Sequence, residues 1–160
     1  IKTMDDTTNE LVVSDTKYIL DYLDNNEELN HDGYGAIGYC MSGQYIVSVS
    51  STYSKKFVAA ASFYGVKILT DKENSPHLRA NKIEADLYLA FAEKDTWVDE
   101  DALKNIEEHF NNNTPRFRME VYEGTEHGFA FPDRHTYNKN AAEKHWSRIN
   151  NLFEKSLKNK

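Results

Sequence analysis

The sequence predicts an α/β protein, a mostly parallel sheet flanked by helices, in a single domain over residues 1–160. Three observations carry the prediction. Four short apolar runs, at 34–39, 57–64, 85–92 and 117–122, have the length and flanks of strands rather than helices. Segments with apolar residues at helical spacing precede, separate and follow these runs, and strands that alternate with helices imply parallel pairing. A chain of 160 residues with 39% hydrophobic and 12% aromatic content is also long enough to bury one core.

The elements follow in order. A first helix is expected from about Glu10 to Leu23, with Leu11, Val12, Tyr18, Ile19, Tyr22 and Leu23 as its apolar face. Turn-forming residues at 24–26 and 30–33 end it. Tyr34 to Tyr39 is the first strand, and a helix from Met41 to about Thr52 follows, with Met41, Tyr45 and Val49 on one side. Phe57 to Tyr64, closed by Gly65, reads as a buried strand. Residues 66–82 are polar and contain Pro76; a loop of that length inside a compact domain is usually functional or mobile. Ala85 to Ala92 forms the third strand. Asp99, Glu100 and Asp101 then put negative charge at the start of a helix carrying Ala102, Leu103, Ile106 and Phe110. Phe117 to Tyr122 alternates as the fourth strand. A last helix, roughly 138–157, sets Ala142, Trp146, Ile149, Leu152 and Phe153 at helical spacing, and Trp146 and Phe153 are expected in the core.

Composition narrows the partners. With 26 acidic and 19 basic residues the net charge is −7, which argues against nucleic acid. No run of 18 apolar residues marks a membrane span, and no basic-then-apolar start marks a signal peptide. The single cysteine, Cys40, excludes an internal disulfide and suits a reducing cytoplasm. His31, His77, His109, His135 and His145 lack zinc-ligand spacing and read as surface residues, so neither a metal nor an organic cofactor is implied.

The chemistry gathers around that cysteine. Gly38-Tyr39-Cys40-Met41-Ser42-Gly43 follows the first strand directly, as a nucleophile elbow does: a sharp strand-to-helix turn whose neighbours must be small. A thiol nucleophile needs a base, and the base needs an orienting group. Asp95 lies just past the third strand and His127 just past the fourth, in the chain order nucleophile, acid, histidine. All three are therefore expected at one edge of one sheet. Trp97, Phe129 and Phe131 flank these loops and either wall an apolar acyl pocket or pack. Ser42 fails as an alternative nucleophile because it lies past the apex of the turn.

At these residues the chain resembles the dienelactone hydrolase family of the α/β-hydrolase superfamily. The motifs are Gly-Tyr-Cys-Met-Ser-Gly, Phe63-Tyr64-Gly65, Ala92-Glu93-Lys94-Asp95 and His127-Gly128-Phe129-Ala130, and the likeness runs from the first helix to the last. The resemblance implies Cys40 as nucleophile, His127 as base, Asp95 as its partner, Tyr64 lining the pocket and the Met41 amide as one oxyanion donor. It implies a small ester or lactone as substrate.

The chain departs from the family in three places. Ser42 replaces a common glycine. The arginine that dienelactone-cleaving members carry four residues after the catalytic histidine is Phe131 here, which points away from dienelactone itself, with Arg134 as the alternative cation. Third, the strands that the family places before this first helix, and the loop that supplies a second oxyanion donor, are not read in these residues. The chain, which starts at Ile1, is accordingly expected to be a C-terminal portion, poorly active alone, since one oxyanion donor is worth about 10²–10³ in rate. Its first strand is expected to be an open edge through which copies could associate. The rival reading, from a different class, is a non-catalytic binding or interaction domain with the same fold.

Overall fold

A computed structural model describes residues 6–26, 29 and 32–157. Four strands, β1 (Tyr34–Tyr39), β2 (Phe57–Phe63), β3 (Asp86–Lys94) and β4 (Phe117–Glu126), form one parallel sheet in the order β1-β2-β3-β4. Helices α1 (Asn9–Asp24), α2 (Gly43–Thr52), α3 (Glu100–Asn113) and α4 (Lys139–Leu157) connect and flank them. The alternation of β3 builds the layers. Leu87, Leu89 and Phe91 pack with Leu20, Ile46, Val49, Ile106 and Phe110, the residues of α1 to α3. Tyr88, Ala90 and Ala92 face Tyr122, Ala141 and Ile149, the side of α4. Every residue of β2 is buried, as a central parallel strand covered on both faces should be.

The helix starts are chemically marked. Thr8 accepts a hydrogen bond from the Leu11 amide at α1, Asp99 from Ala102 at α3, and Asn138 from Ala141 at α4. Residues 66–82 are less irregular than expected, because Pro76–Lys82 turns as a 3-10 helix with Pro76 in its first turn. Ile68, Ala80 and Ile83 bury into the core and anchor the segment.

Three expectations about side chains need correction. The apolar face of α1 is divided: Val12 and Leu20 pack inward, whereas Leu11, Tyr18, Ile19 and Tyr22 are exposed. Apolar residues run most of the way round this helix, and only the arc facing α2 and the sheet finds a partner. Trp146 is also exposed (49%), while His145, read as a surface residue, is completely buried. On α4 the inward line runs through Ala142, His145 and Ile149, and Trp146 lies one residue off it. His77 and His109 are half-buried against each other, ring centroids 4.8 Å apart, and His135 is exposed as expected. His31 lies outside the described residues. No helix among the described residues is long and apolar enough to cross a membrane.

At the far edge of the sheet, Glu120 ties β3, β4 and α4 together. It accepts hydrogen bonds from Arg148 Nε (2.8 Å) and Nη2 (3.1 Å) and from Tyr88 Oη (2.7 Å), and pairs with Lys144 Nζ at 2.7 Å. The Arg148 guanidinium, with Lys144 and Tyr88 behind it, holds this carboxyl well below the usual carboxylate range against the opposing cost of burial. Glu120→Gln is expected to cost about 2 kcal/mol, less than the ~3–5 of a fully buried pair because the side chain keeps some water contact. A lowered pKa stabilises the fold above the ordinary value near about 4.3, and this contribution is lost as pH falls through the lowered one. Urea unfolding should therefore show the gap between wild type and variant closing below about pH 4. A gap independent of pH would contradict the assignment.

Candidate active site

The predicted residues all follow the carboxyl ends of their strands, and of the three Asp95 and His127 are in contact. Cys40 follows β1 in a left-handed conformation (φ 54°), a strained state for a side-chain-bearing residue and one that clusters at functional sites. The strain is held from both sides. The Ser42 hydroxyl accepts from the Tyr39 amide (2.7 Å) and donates to the Tyr39 carbonyl (2.8 Å), and the Val66 amide donates to the Cys40 carbonyl (3.1 Å). Ser42 thus serves the turn as a brace. Beneath it the backbones of Gly43 and Gly65 touch: a Cβ on Gly43 would land on Gly65 Cα and Ser62 Oγ, inside the 3.0 Å that Cβ atoms keep.

Asp95 follows β3 and His127 follows β4. The two strands shift register between Ala92 and Lys94, and Glu93 accepts from the Gly124 amide (2.8 Å), which binds the strand ends side by side. Asp95 Oδ2 meets His127 Nδ1 at 2.8 Å, and its Oδ1 accepts from the Trp97 amide at 2.9 Å. The aspartate is thereby fixed at both oxygens. An ionised carboxylate only accepts, so Nδ1 carries the proton and Nε2 of the neutral ring presents a lone pair. Nε2 is buried and has no hydrogen-bond partner. The thiol and the imidazole are not hydrogen-bonded to each other.

Tyr64 follows β2, is also left-handed (φ 41°), and its ring contacts those of His127 (4.9 Å) and Tyr39 (5.9 Å). Its buried hydroxyl has no partner, and burial, with smaller contributions from Tyr39 and Cys40, pushes its pKa up. Met41 lies in the 3-10 turn Cys40–Ser42 that opens the following helix, and is partly buried. The aromatic candidates diverge. Phe129 is fully buried, stacked on Tyr122 at 4.9 Å and edge-on to Tyr64 at 5.3 Å, so it packs. Phe131 lies edge-on to Tyr39 at 5.0 Å and is partly exposed, and Trp97 is mostly exposed. A cavity of about 830 Å³ opens beside Asp95 under α3, but neither Cys40 nor His127 lines it. Among the described residues no group of three or more His, Cys, Asp or Glu side chains could hold a metal ion.

One supporting residue escaped the sequence reading. Tyr39, the neighbour of Cys40, donates its hydroxyl to His145 Nε2 (2.8 Å), and His145 Nδ1 donates to the Ala142 carbonyl (2.7 Å). Burial pushes Tyr39 up to about 12 and His145 down. The i, i+3 and i+7 spacing of Ala142, His145 and Ile149 was the signal that would have turned His145 inward. His145→Ala is expected to cost about 2–3 kcal/mol, through the cavity and the orphaned Tyr39 hydroxyl. A lowered histidine stabilises the fold above the ordinary value near about 6.5 and loses that contribution as pH falls through the lowered one. Wild type should lose stability between pH ~7.5 and ~5.5, and the variant should lose less over that interval. Urea unfolding at both pH values checks it; an equal loss in both proteins would refute it.

The model of the dienelactone hydrolase family matches residues 1–157. A candidate carboxymethylenebutenolidase of Synechocystis sp. is 28% identical over 160 residues, covering 98% of this chain and 64% of that protein. A candidate 2-oxo-3-(5-oxofuran-2-ylidene)propanoate lactonase of Bradyrhizobium sp. is 24% identical over 151 residues, covering 92% of this chain and 59% of that one. The chain therefore spans less than two thirds of the length of these relatives. Among solved structures, a candidate dienelactone hydrolase of Klebsiella pneumoniae superposes with a TM-score of 0.80 at 18% identity, over 91% of this chain and 61% of that one, which establishes the α/β-hydrolase fold. With a family model matched from the first residue to α4, the chain belongs to the dienelactone hydrolase family.

Proposed function

We propose that the chain carries the catalytic groups of a cysteine-dependent hydrolase acting on a small carboxylic ester or lactone. The observation that carries the proposal is the Asp95–His127 hydrogen bond of 2.8 Å, which leaves a buried, unpartnered Nε2 at the sheet edge where Cys40 stands in a strained turn. In this reading Nε2 takes the thiol proton as Sγ attacks the carbonyl carbon. The same proton passes to the leaving alkoxide, and an acyl thioester remains on Cys40. Nε2 then removes a proton from water, whose oxygen attacks the thioester carbonyl and returns the thiol. The thiol–imidazole contact is one that tightens in the substrate complex, as catalytic hydrogen bonds in unliganded sites often do.

In this reading the Met41 amide, in the elbow turn, donates to the developing oxyanion. Tyr64, with its free hydroxyl, and Phe131 with Trp97 would line the approach to the thiol. The relatives' printed names, a lactonase and a carboxymethylenebutenolidase, support a lactone or ester as the substrate class. A thiol nucleophile is suited to a reducing, cytoplasmic setting.

The test is to trap the intermediate. Mixing the protein with a small aryl ester and quenching early should yield a mass gain of one acyl group that peptide mapping places on Cys40. Cys40→Ala should show neither the adduct nor turnover. An acyl group on Ser42, or ester turnover that survives in Cys40→Ala, would overturn the nucleophile, and absence of adduct and turnover in the wild type would favour a binding domain.

A further inference from the structure

The chain has five arginines, Arg79, Arg116, Arg118, Arg134 and Arg148, in a protein of net charge −7. Three of them, Arg116, Arg118 and Arg148, line one cavity of about 310 Å³ together with Lys155. It lies where β3 and β4 begin and α4 ends, so it opens at the opposite end of the sheet from Cys40, Asp95 and His127. We propose that this cavity is a binding site for a small organic phosphate, separate from the reaction centre.

Charge and geometry both support this. Asp86 is the one carboxylate that lines the cavity, and Glu120 lies outside the lining, paired with Arg148. Both are already engaged. Asp86 takes Lys155 at 3.1 Å and the Ser156 hydroxyl at 2.7 Å, and Glu120 takes Arg148 and Lys144. Arg116 and Arg118 stand beyond hydrogen-bond distance from these acids, at 3.7 Å from Asp86 and 3.8 Å from Glu120. Among the described residues neither guanidinium makes a hydrogen bond within the protein, so their donor forks are available. Arg116 sits in the turn just before β4 and Arg118 is the second residue of that strand, and both line the cavity. Arg118 is paired in register with Tyr88 and shares its face of the sheet.

The lining carries four cations against one carboxylate, and with Glu120 set against Arg148 the local balance is +2, which favours a dianion. A phosphate monoester is dianionic above pH ~6 and concentrates both charges on one head, which suits guanidinium forks lining one small cavity. A dicarboxylate splits the same charge over two ends. Leu152 and Phe117, on the cavity wall, offer apolar contact for a short organic group. At about 310 Å³ the space is at the small end of ligand pockets, fitting a compact molecule rather than a nucleotide.

The experiment is calorimetric titration of the full chain at constant ionic strength with phenyl phosphate, inorganic phosphate and succinate. Saturable one-to-one binding of phenyl phosphate is expected, at least tenfold tighter than succinate. Inorganic phosphate should bind the same site more weakly, since it lacks the apolar part. Arg116→Gln/Arg118→Gln should weaken phenyl phosphate at least tenfold while leaving the melting temperature and the reaction of Cys40 with iodoacetamide unchanged. Both residues are exposed; should the double variant melt early, each single variant carries the test, with at least threefold weakening expected. The site is overturned if the wild type gives no saturable binding, or if the double variant binds within twofold of it. Succinate binding as tightly as phenyl phosphate would overturn the phosphate assignment.

Discussion

Asp95→Asn is expected to lower kcat/KM for a small aryl ester by about 10⁴ while leaving the melting temperature within a few degrees of wild type. The reason lies in the two hydrogen bonds of the carboxylate. Oδ1 accepts from the Trp97 amide, and an asparagine must keep an oxygen there to satisfy that donor. Its NH₂ group is then turned toward His127 in place of Oδ2. Facing a donor, Nδ1 becomes the acceptor and the ring proton moves to Nε2, so the base loses the lone pair it needs. Shape, charge-neutral size and packing barely change, so folding should be spared. A loss of less than about tenfold would show that His127 is not the base or that Asp95 does not set its tautomer. The companion variant Asp99→Asn tests specificity, because Asp99 caps α3 through the Ala102 amide and should leave the rate unchanged.

The largest expected effect on the fold is Gly43→Ala. Its Cβ would overlap a backbone atom of Gly65 and the Ser62 hydroxyl, and neither can retreat cheaply. The Gly65 backbone is pinned between the Tyr64 amide, bonded to the Ala90 carbonyl at 2.7 Å, and the Val66 amide, bonded to Cys40. Overpacking usually costs ~1–3 kcal/mol, and a clash against fixed backbone belongs at or above the top of that range. A loss of about 3 kcal/mol corresponds to a drop of roughly 6–12 °C in melting temperature for a domain of this size. Gly35→Ala is the control. Its Cβ would meet the Phe153 ring at 2.9 Å, a side chain at the surface of the core that can shift, so its loss should be well under half as large. Thermal melts of both variants check the contrast, and equal shifts would argue against a rigid crossing beneath the elbow.

Much of this architecture was legible because it follows from local pattern. Apolar runs gave the four strands within a few residues, and the order of Cys40, Asp95 and His127 along strand ends anticipated the edge they share. Where the reading stopped short, longer-range contacts decided. β4 was expected only over the alternating run Phe117 to Tyr122, yet pairing with β3 carries it to Glu126. The face of α1 could not be chosen from periodicity, since apolar residues occupy most of its circumference and only docking selects one arc. His145 and Trp146 exchanged places for a similar reason: a polar ring was assigned to solvent, when an aligned hydroxyl from Tyr39 and a carbonyl from Ala142 satisfy both its nitrogens inside. The tautomer of His127 was likewise beyond one-dimensional reach, because it depends on a bond between residues 32 apart in the chain.

The strand order β1-β2-β3-β4 also has a consequence for the chain while it is being made. Each strand pairs with the one synthesised before it, so the sheet can grow from one side as the polypeptide emerges from the ribosome. The thiol is delivered first, the carboxylate some fifty residues later, and the imidazole last. Under the proposed roles, a nascent chain exposes Cys40 with no base beside it until the fourth strand is in place. Chemistry is then a late product of translation, and a protein stalled or cut short before β4 would carry the thiol without the reaction.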